Sequence, residues 1–307
     1  MPSAISLWFY SLQPYPERGR HPVSAEDLPG RTFDEFLKSF VAEQSVATQD
    51  SERQRIWYFD TPKLSKVNEI DGFIKYGVYG FESNLIDSKT RKHRFKREVG
   101  DFEQIDLYYQ FWRSSGAAGA LLAMQSFQGR SCISLVTKAA AEAFRKEYPG
   151  FTLRIRKLMP ASLRATVLSG SPVRSVTLVA KEVSSDRSKN YGSATMPEEI
   201  DVTVRLVARK NGSFGSLGDL NEAKLGKLRL PVWLVDSTSF DRVSAEIDWN
   251  GRRRKVGVFG YSSEAGGMDV TADVTFAANG HPTYESVRSQ ADDLLGPFAQ
   301  SLGYVAR

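Results

Sequence analysis

Residues 117–180 constrain the fold more than any other stretch. An apolar run, Ala117-Ala118-Gly119-Ala120-Leu121-Leu122-Ala123-Met124, leads through the turn Gln128-Gly129-Arg130 to a segment where Ile133, Val136, Ala140, Ala143 and Phe144 recur at helical spacing. Ser131 stands where an N-cap hydroxyl accepts a backbone N–H that the first helical turn leaves unpaired, and Tyr148-Pro149-Gly150 ends the pattern. Phe151, Leu153 and Ile155 then alternate with Thr152, Arg154 and Arg156, the period of a half-buried strand. Pro160 suits the start of a second short helix and Gly170 its end, while Val173, Val176, Leu178 and Val179 supply a further strand. Helical crossovers between strands favour a right-handed β-α-β-α-β unit.

The flanking segments alternate more than they spiral, so the expected class is α+β or mixed α/β, rich in antiparallel sheet. Ile5, Leu7, Phe9 and Tyr10 open a strand, and Thr32 with Glu35 forms a capping-box pattern ahead of the core stripe Phe33, Phe36, Leu37, Phe40 and Val41. Ile56-Trp57-Tyr58-Phe59, the segment around Ile74, Tyr76, Val78 and Tyr79, and the segment Leu107, Tyr108, Phe111, Trp112 read as antiparallel strands. Gly72, Gly77 and Gly80 predict sheet coiling or close backbone approach and lack phosphate-loop spacing. Residues 184–199, polar and rich in small side chains, read as a linker or long loop between an N-terminal mixed α/β domain, 1–183, and a C-terminal α+β domain, 200–307.

In that second part Val202, Val204, Leu206 and Ala208 mark a strand. The glycine-rich interval 212–218 lacks the lysine–hydroxyl pair of a P-loop and reads as a flexible connection. Leu228 to Val235 suggests another strand. Val243, Ala245, Ile247 and Trp249 alternate up to Asn250-Gly251, and the chain returns from Arg252 to Phe259 as a β-hairpin. Val270, Ala272, Val274 and Phe276 predict a strand with one acidic face, and Thr283 caps a final helix bearing Val287, Ala291, Leu294, Leu295 and Phe298.

One cysteine, Cys132, excludes an intrachain disulfide and thiolate-rich zinc sites, and it reads as a small apolar residue. His21, His93 and His281 have no metal-ligand spacing, and no metal or cofactor site is assigned. No run of about 18 apolar residues exists, and the first residues lack the order of a signal peptide, so no membrane association and a cytoplasmic location are expected.

A net charge of +5 is modest for 307 residues, so basic character matters where it concentrates. The first concentration is Lys89, Arg91, Lys92, His93, Arg94, Lys96 and Arg97, interrupted by Phe95; in an exposed hairpin such a row contacts successive phosphates while Phe95 packs or stacks on a base. The bland reading is a solvated sheet edge. Arg252, Arg253, Arg254 and Lys255 form the second, on both faces near a hairpin tip, with Glu246 and Asp248 across the hairpin as competing partners. Arg154, Arg156 and Lys157 form the third. Ser131 beside Arg130 offers an anion a helix start. Asp201, Asp236, Glu246, Asp248, Asp269 and Asp273 lie on or beside expected strands, the environment of a metal-dependent nuclease, in no nuclease spacing.

Leu107-Tyr108-Tyr109-Gln110-Phe111-Trp112, then Leu121-Leu122-Ala123-Met124-Gln125-Ser126-Phe127, a Gly129 turn, a helix and Leu158-Met159-Pro160 resemble uncharacterised bacterial proteins of phage-defence and mobile-element regions. The resemblance covers about residues 70 to 180, contains no catalytic motif and transfers no functional residue. It implies a prokaryotic source and a role in a multi-gene defence system. The expected function is therefore non-catalytic binding of nucleic acid or another polyanion, as the sensing or recruiting subunit of an anti-phage system. A metal-dependent nuclease or toxin-like effector, and an interaction scaffold with a partner protein or a second copy of the chain, are the alternatives.

Overall fold

Helix α1 (Phe33–Glu43) begins where the capping box places it: the Thr32 hydroxyl accepts from the Glu35 N–H, and the Glu35 carboxylate accepts from the Thr32 N–H. In the computed structural model, which describes residues 4–160, 168–184, 199–210, 212–224, 240, 242–249, 251–259 and 266–304, the chain divides into two compact units. The first comprises Met1–Ile5, Tyr10–Arg156 and Asp273–Asp293; the second comprises Ser6–Phe9, Lys157–Ala272 and Leu294–Arg307.

In the first unit, β2 (Thr48–Asp50), β3 (Arg55–Phe59), β5 (Glu69–Val78), β8 (Ile105–Trp112) and β9 (Ala120–Phe127) neighbour one another in that order, and β4 (Leu64–Lys66) pairs with β5. The pairs from β2 to β9 are all antiparallel. Strand β1 (Ile5–Pro16) borders β9, and β10 (Phe151–Leu158) borders β1. The period of two sorts the sheet into two faces. Ile70, Gly72 and Ile74 of β5 stand opposite Phe111, Tyr109 and Leu107 of β8 and make the apolar face. Phe59 carries that face to Phe40 of α1, with ring centroids 5.6 Å apart, and to Tyr109, at 4.6 Å. Helix α2 (Ile133–Glu147) closes the layer through Phe144, which meets Phe36 edge-on at 5.2 Å. Each fully buried phenylalanine of this stripe contributes about 1.5–3 kcal/mol, so the stripe is core, as its spacing implies.

The opposite face of β5 and β8 pairs Asp71 with Gln110, Phe73 with Tyr108 and Lys75 with Asp106. Helix α4 (Tyr284–Ser301) supplies Tyr284, Arg288 and Asp292 to the polar groups there. Gly77 earns its place on β5, because a Cβ there would press on the Phe102 ring and lie 2.8 Å from the Glu103 carbonyl oxygen.

The second unit is an antiparallel run in the order β12 (Glu199–Val207), β11 (Val173–Ser184), β13 (Arg242–Trp249), β14 (Arg252–Phe259) and β15 (Met268–Asp269), with Ser6 and Leu7 of β1 paired to β15. The β13–β14 hairpin has the expected register, Trp249 opposite Arg252, and Gly251 holds φ at +73°. Val243, Ala245, Ile247 and Trp249 are buried together with Val256 and Val258. Phe298, from the end of α4, stacks on Phe9 at 4.5 Å. Glycine-rich residues 212–218 are pinned rather than loose: the Phe214 N–H donates to the Val173 carbonyl, the Val173 N–H donates to the Gly215 carbonyl, and Ser216 and Asp219 cap α3 (Leu217–Lys224) reciprocally.

Several expectations change. Of the anticipated β-α-β-α-β unit, β9, α2 and β10 follow one another with β9 and β10 both bordering β1, while β11 pairs with β12 and β13. The helix expected from Pro160, the strand from Leu228 to Val235 and most of 184–199 lie outside the described residues. Position 132, not 131, is the helix cap residue of α2, although the Ser131 hydroxyl still accepts the Ile133 N–H at 3.2 Å. Residues 270–276 are mostly turn, because the Asp269 carboxylate accepts the Thr271 N–H and draws the backbone out of the ladder.

Candidate nucleic-acid interface

The first basic concentration forms a two-stranded sheet of its own, β6 (Ser83–Ile86) paired antiparallel with β7 (His93–Arg97). Its base is held by Arg97, which is 7% exposed: the guanidinium donates to the Val78 and Asp101 carbonyls and lies 4.3 Å from the Phe81 ring centroid. Its tip is wound around Asp87. That carboxylate accepts from the backbone of Lys89 and Thr90, the Thr90 hydroxyl and the Arg94 guanidinium, and these donors hold its pKa far below the ordinary carboxylate range. Arg91 takes a left-handed backbone, φ +56°, as the chain turns.

The basic side chains divide by partner. Arg94 pairs with Asp87 at 2.7 Å, and Lys96 with Glu82 and Glu98 at 3.2 and 3.5 Å, so their charges are locally balanced. Lys89, Arg91 and Lys92 are exposed at the tip and form no ion pair with any described residue. His93 meets Asn84 through a ring nitrogen, 3.1 Å from the amide oxygen. Beside the charges lies apolar surface: Leu85 stands opposite Phe95, and these two and Ile86 are 56%, 53% and 50% exposed. Grouped exposed apolar side chains signal a contact surface more than single ones do.

The second basic concentration is split by the pleat. Arg254 is buried, 3% exposed, on the face that carries Val256, while Arg252, Arg253 and Lys255 are exposed. Arg253 lies 3.7 Å from Asp248, which Arg174 also engages at 2.6 Å; Glu246 is held by Arg205 at 2.9 Å and by the Ser175 hydroxyl at 2.7 Å. The two carboxylates of this hairpin are thus engaged chiefly by Arg174 and Arg205, and Arg253 reaches Asp248 only at 3.7 Å. In the third concentration, Arg154 lies over Tyr15 at 3.8 Å and donates to the Gly19 carbonyl, and Lys157 lies over Trp8 at 4.2 Å.

Of the carboxylates considered for a nuclease, Asp236 is outside the described residues, and among the described residues no three His, Cys, Asp or Glu side chains converge as metal ligands. A cluster the sequence pattern did not mark lies instead on the polar face of β5 and β8. Asp71, fully buried, accepts from the Tyr284 hydroxyl and from Arg288 Nε at 3.1 Å; Arg288 also reaches Glu69 at 3.3 Å, and Gln110 Nε2 bridges Glu69 and Asp292 at 3.0 and 2.8 Å. Desolvation raises the Asp71 pKa, against the pull of Tyr284 and Arg288. Acidic residues at 69 and 71 on one strand face, and an Arg288–Asp292 pair at helical spacing, are the cluster's local traces in the sequence, and neither says that the helix meets the strand. The cluster ties α4 to the sheet. Cys132 is buried, and desolvation pushes its thiol pKa up to about 12, so it is no nucleophile. Among the described residues no helix is long and apolar enough to cross a membrane.

Compared with known proteins, the chain matches no family model and no curated protein.

Proposed function

We propose that the protein binds nucleic acid through the β6–β7 hairpin, as a sensing or recruiting subunit of a bacterial anti-phage system. The observation that carries the binding is the tip, where Lys89, Arg91 and Lys92 have no ion-pair partner among the described residues beside the exposed Phe95, Leu85 and Ile86. Unpartnered cations exchange condensed counterions for phosphates, and a half-exposed phenylalanine offers a face to a base. Arg94 and Lys96 flank the contact and gain phosphate bonds only by releasing carboxylates. Arg97 orients the hairpin from its base. Arg252, Arg253 and Lys255 form a secondary set on β14, from which Arg254 is withdrawn by burial. The defence role and the cytoplasmic location rest on the resemblance and on composition.

Fluorescence anisotropy with labelled single- and double-stranded DNA and RNA across a salt series tests the reading. The triple variant Lys89→Glu, Arg91→Glu, Lys92→Glu removes three phosphate contacts, each worth about 0.7–0.9 in the slope of log affinity against log salt. The slope is expected to flatten by about 2–3 and binding at low salt to collapse while the circular dichroism stays native. Unchanged binding in a folded triple variant refutes the hairpin as the site. If no nucleic acid binds the wild type, the exposed Leu85–Phe95 face points to a protein partner instead.

A further inference from the structure

A second site lies in the first unit, on the apolar side of which Tyr76 is a member. Arg53 and Arg55, from the turn and strand after β2, and Arg130, from the turn before α2, line a cleft of about 430 Å³ together with Tyr76, Val78, Ser131, Ser134 and Leu135. That volume lies within the range of small-molecule sites, roughly 300–1,000 Å³, and exceeds the need of a bare inorganic anion. Three guanidinium groups on one cleft repel one another unless an anion joins them, and planar guanidinium matches phosphate oxygens two at a time. Their present partners offset little of that charge. Arg130 meets Glu103 at 2.9 Å, with that carboxylate 58% exposed, and Arg55 is engaged by neutral groups, the Arg53 and Gln54 carbonyls and the Tyr76 phenol. Arg53 forms no ion pair with any described residue.

We propose that this cleft binds a phosphomonoester carried on an organic body of nucleotide size. A phosphomonoester has a charge of about −1.5 to −2 at neutral pH, the amount that three arginines and one glutamate leave unbalanced. The Ser131 and Ser134 hydroxyls supply neutral donors, and Val78 and Leu135 supply an apolar wall for the attached group. The attraction comes from the guanidinium groups of two separate turns rather than from the end of α2. The site is distinct from the β6–β7 tip and does not depend on the hairpin reading. The same chemistry is presented by a free nucleotide and by the 5′-phosphate end of a nucleic-acid strand.

Isothermal titration of the full chain with adenosine 5′-monophosphate, adenosine and inorganic phosphate tests the proposal, alongside the double variant Arg53→Gln, Arg130→Gln. The monophosphate is expected to bind at least ten-fold more tightly than adenosine or inorganic phosphate, and the double variant to lose at least ten-fold while unfolding at the wild-type temperature. A folded Lys89→Glu, Arg91→Glu, Lys92→Glu variant keeps the monophosphate affinity, which separates this site from the hairpin. A short oligonucleotide with a 5′-phosphate that binds that variant more tightly than the monophosphate, and more tightly than its 5′-hydroxyl form, assigns the strand end as the source; equal or weaker binding assigns the free nucleotide. No binding of the monophosphate or of the phosphorylated oligonucleotide, equal affinity for adenosine or phosphate, or an unaffected Arg53/Arg130 variant overturns it.

Discussion

Arg97 and Lys92 stand five positions apart in one basic run and do opposite things. Arg97 satisfies two backbone carbonyls from the buried base of the hairpin, whereas Lys92 is exposed at its tip. Arg97→Ala is expected to cost about 1–3 kcal/mol, the price of orphaning buried acceptors, and Lys92→Ala less than about 0.5 kcal/mol, both read by urea denaturation. Composition makes the basic run legible, but which member is anchored depends on Val78, Phe81 and Asp101, and no local pattern announces them. Asp71 was illegible for the same reason, since its partners Tyr284 and Arg288 lie more than 200 positions away. Its raised pKa means the native state keeps a proton that the unfolded chain releases above about pH 3.9. The contribution of Asp71 is therefore complete below that pH and lost as pH rises through the folded pKa. Urea midpoints across this range should fall with pH in the wild type relative to Asp71→Asn, whose side chain cannot titrate; parallel pH profiles would refute the shift.

Among elements, those with short-range signals were legible. The Thr32–Glu35 box started α1 and the alternation around Gly251 gave the β13–β14 register, because hydroxyl caps and two-residue turns act within a few residues. Strand 270–276 failed at one side chain, Asp269, whose carboxylate competes for the backbone. The strand order also escaped, because alternation fixes which residues face the core and leaves neighbours open. Of the two roles the glycines of β5 suggest, sheet coiling or close approach, Gly77 serves close approach, because the Phe102–Glu103 segment fills the space a side chain would take. Gly77→Ala should cost about 1–3 kcal/mol by overpacking, visible as a lowered thermal midpoint; a neutral substitution would show that the segment yields freely.

For the whole chain, the two compact units are not two successive stretches of sequence. Helix α4 gives Tyr284 and Arg288 to the first unit and Phe298 to the second, and β1 likewise contributes to both. A fragment of residues 1–183 lacks the Asp71 partners from α4, so it should show no cooperative thermal transition by near-ultraviolet circular dichroism. A sharp native-like transition would mean that the first unit closes its polar face without the helix. The one thiol of the chain has a practical side as well. Because Cys132 is sealed in the core and its thiol is held protonated, the native protein presents no reactive sulfur to a maleimide. A cysteine introduced at the hairpin tip becomes the sole point of attachment for a dye or crosslinker, so the surface under test can be labelled without first stripping the natural residue.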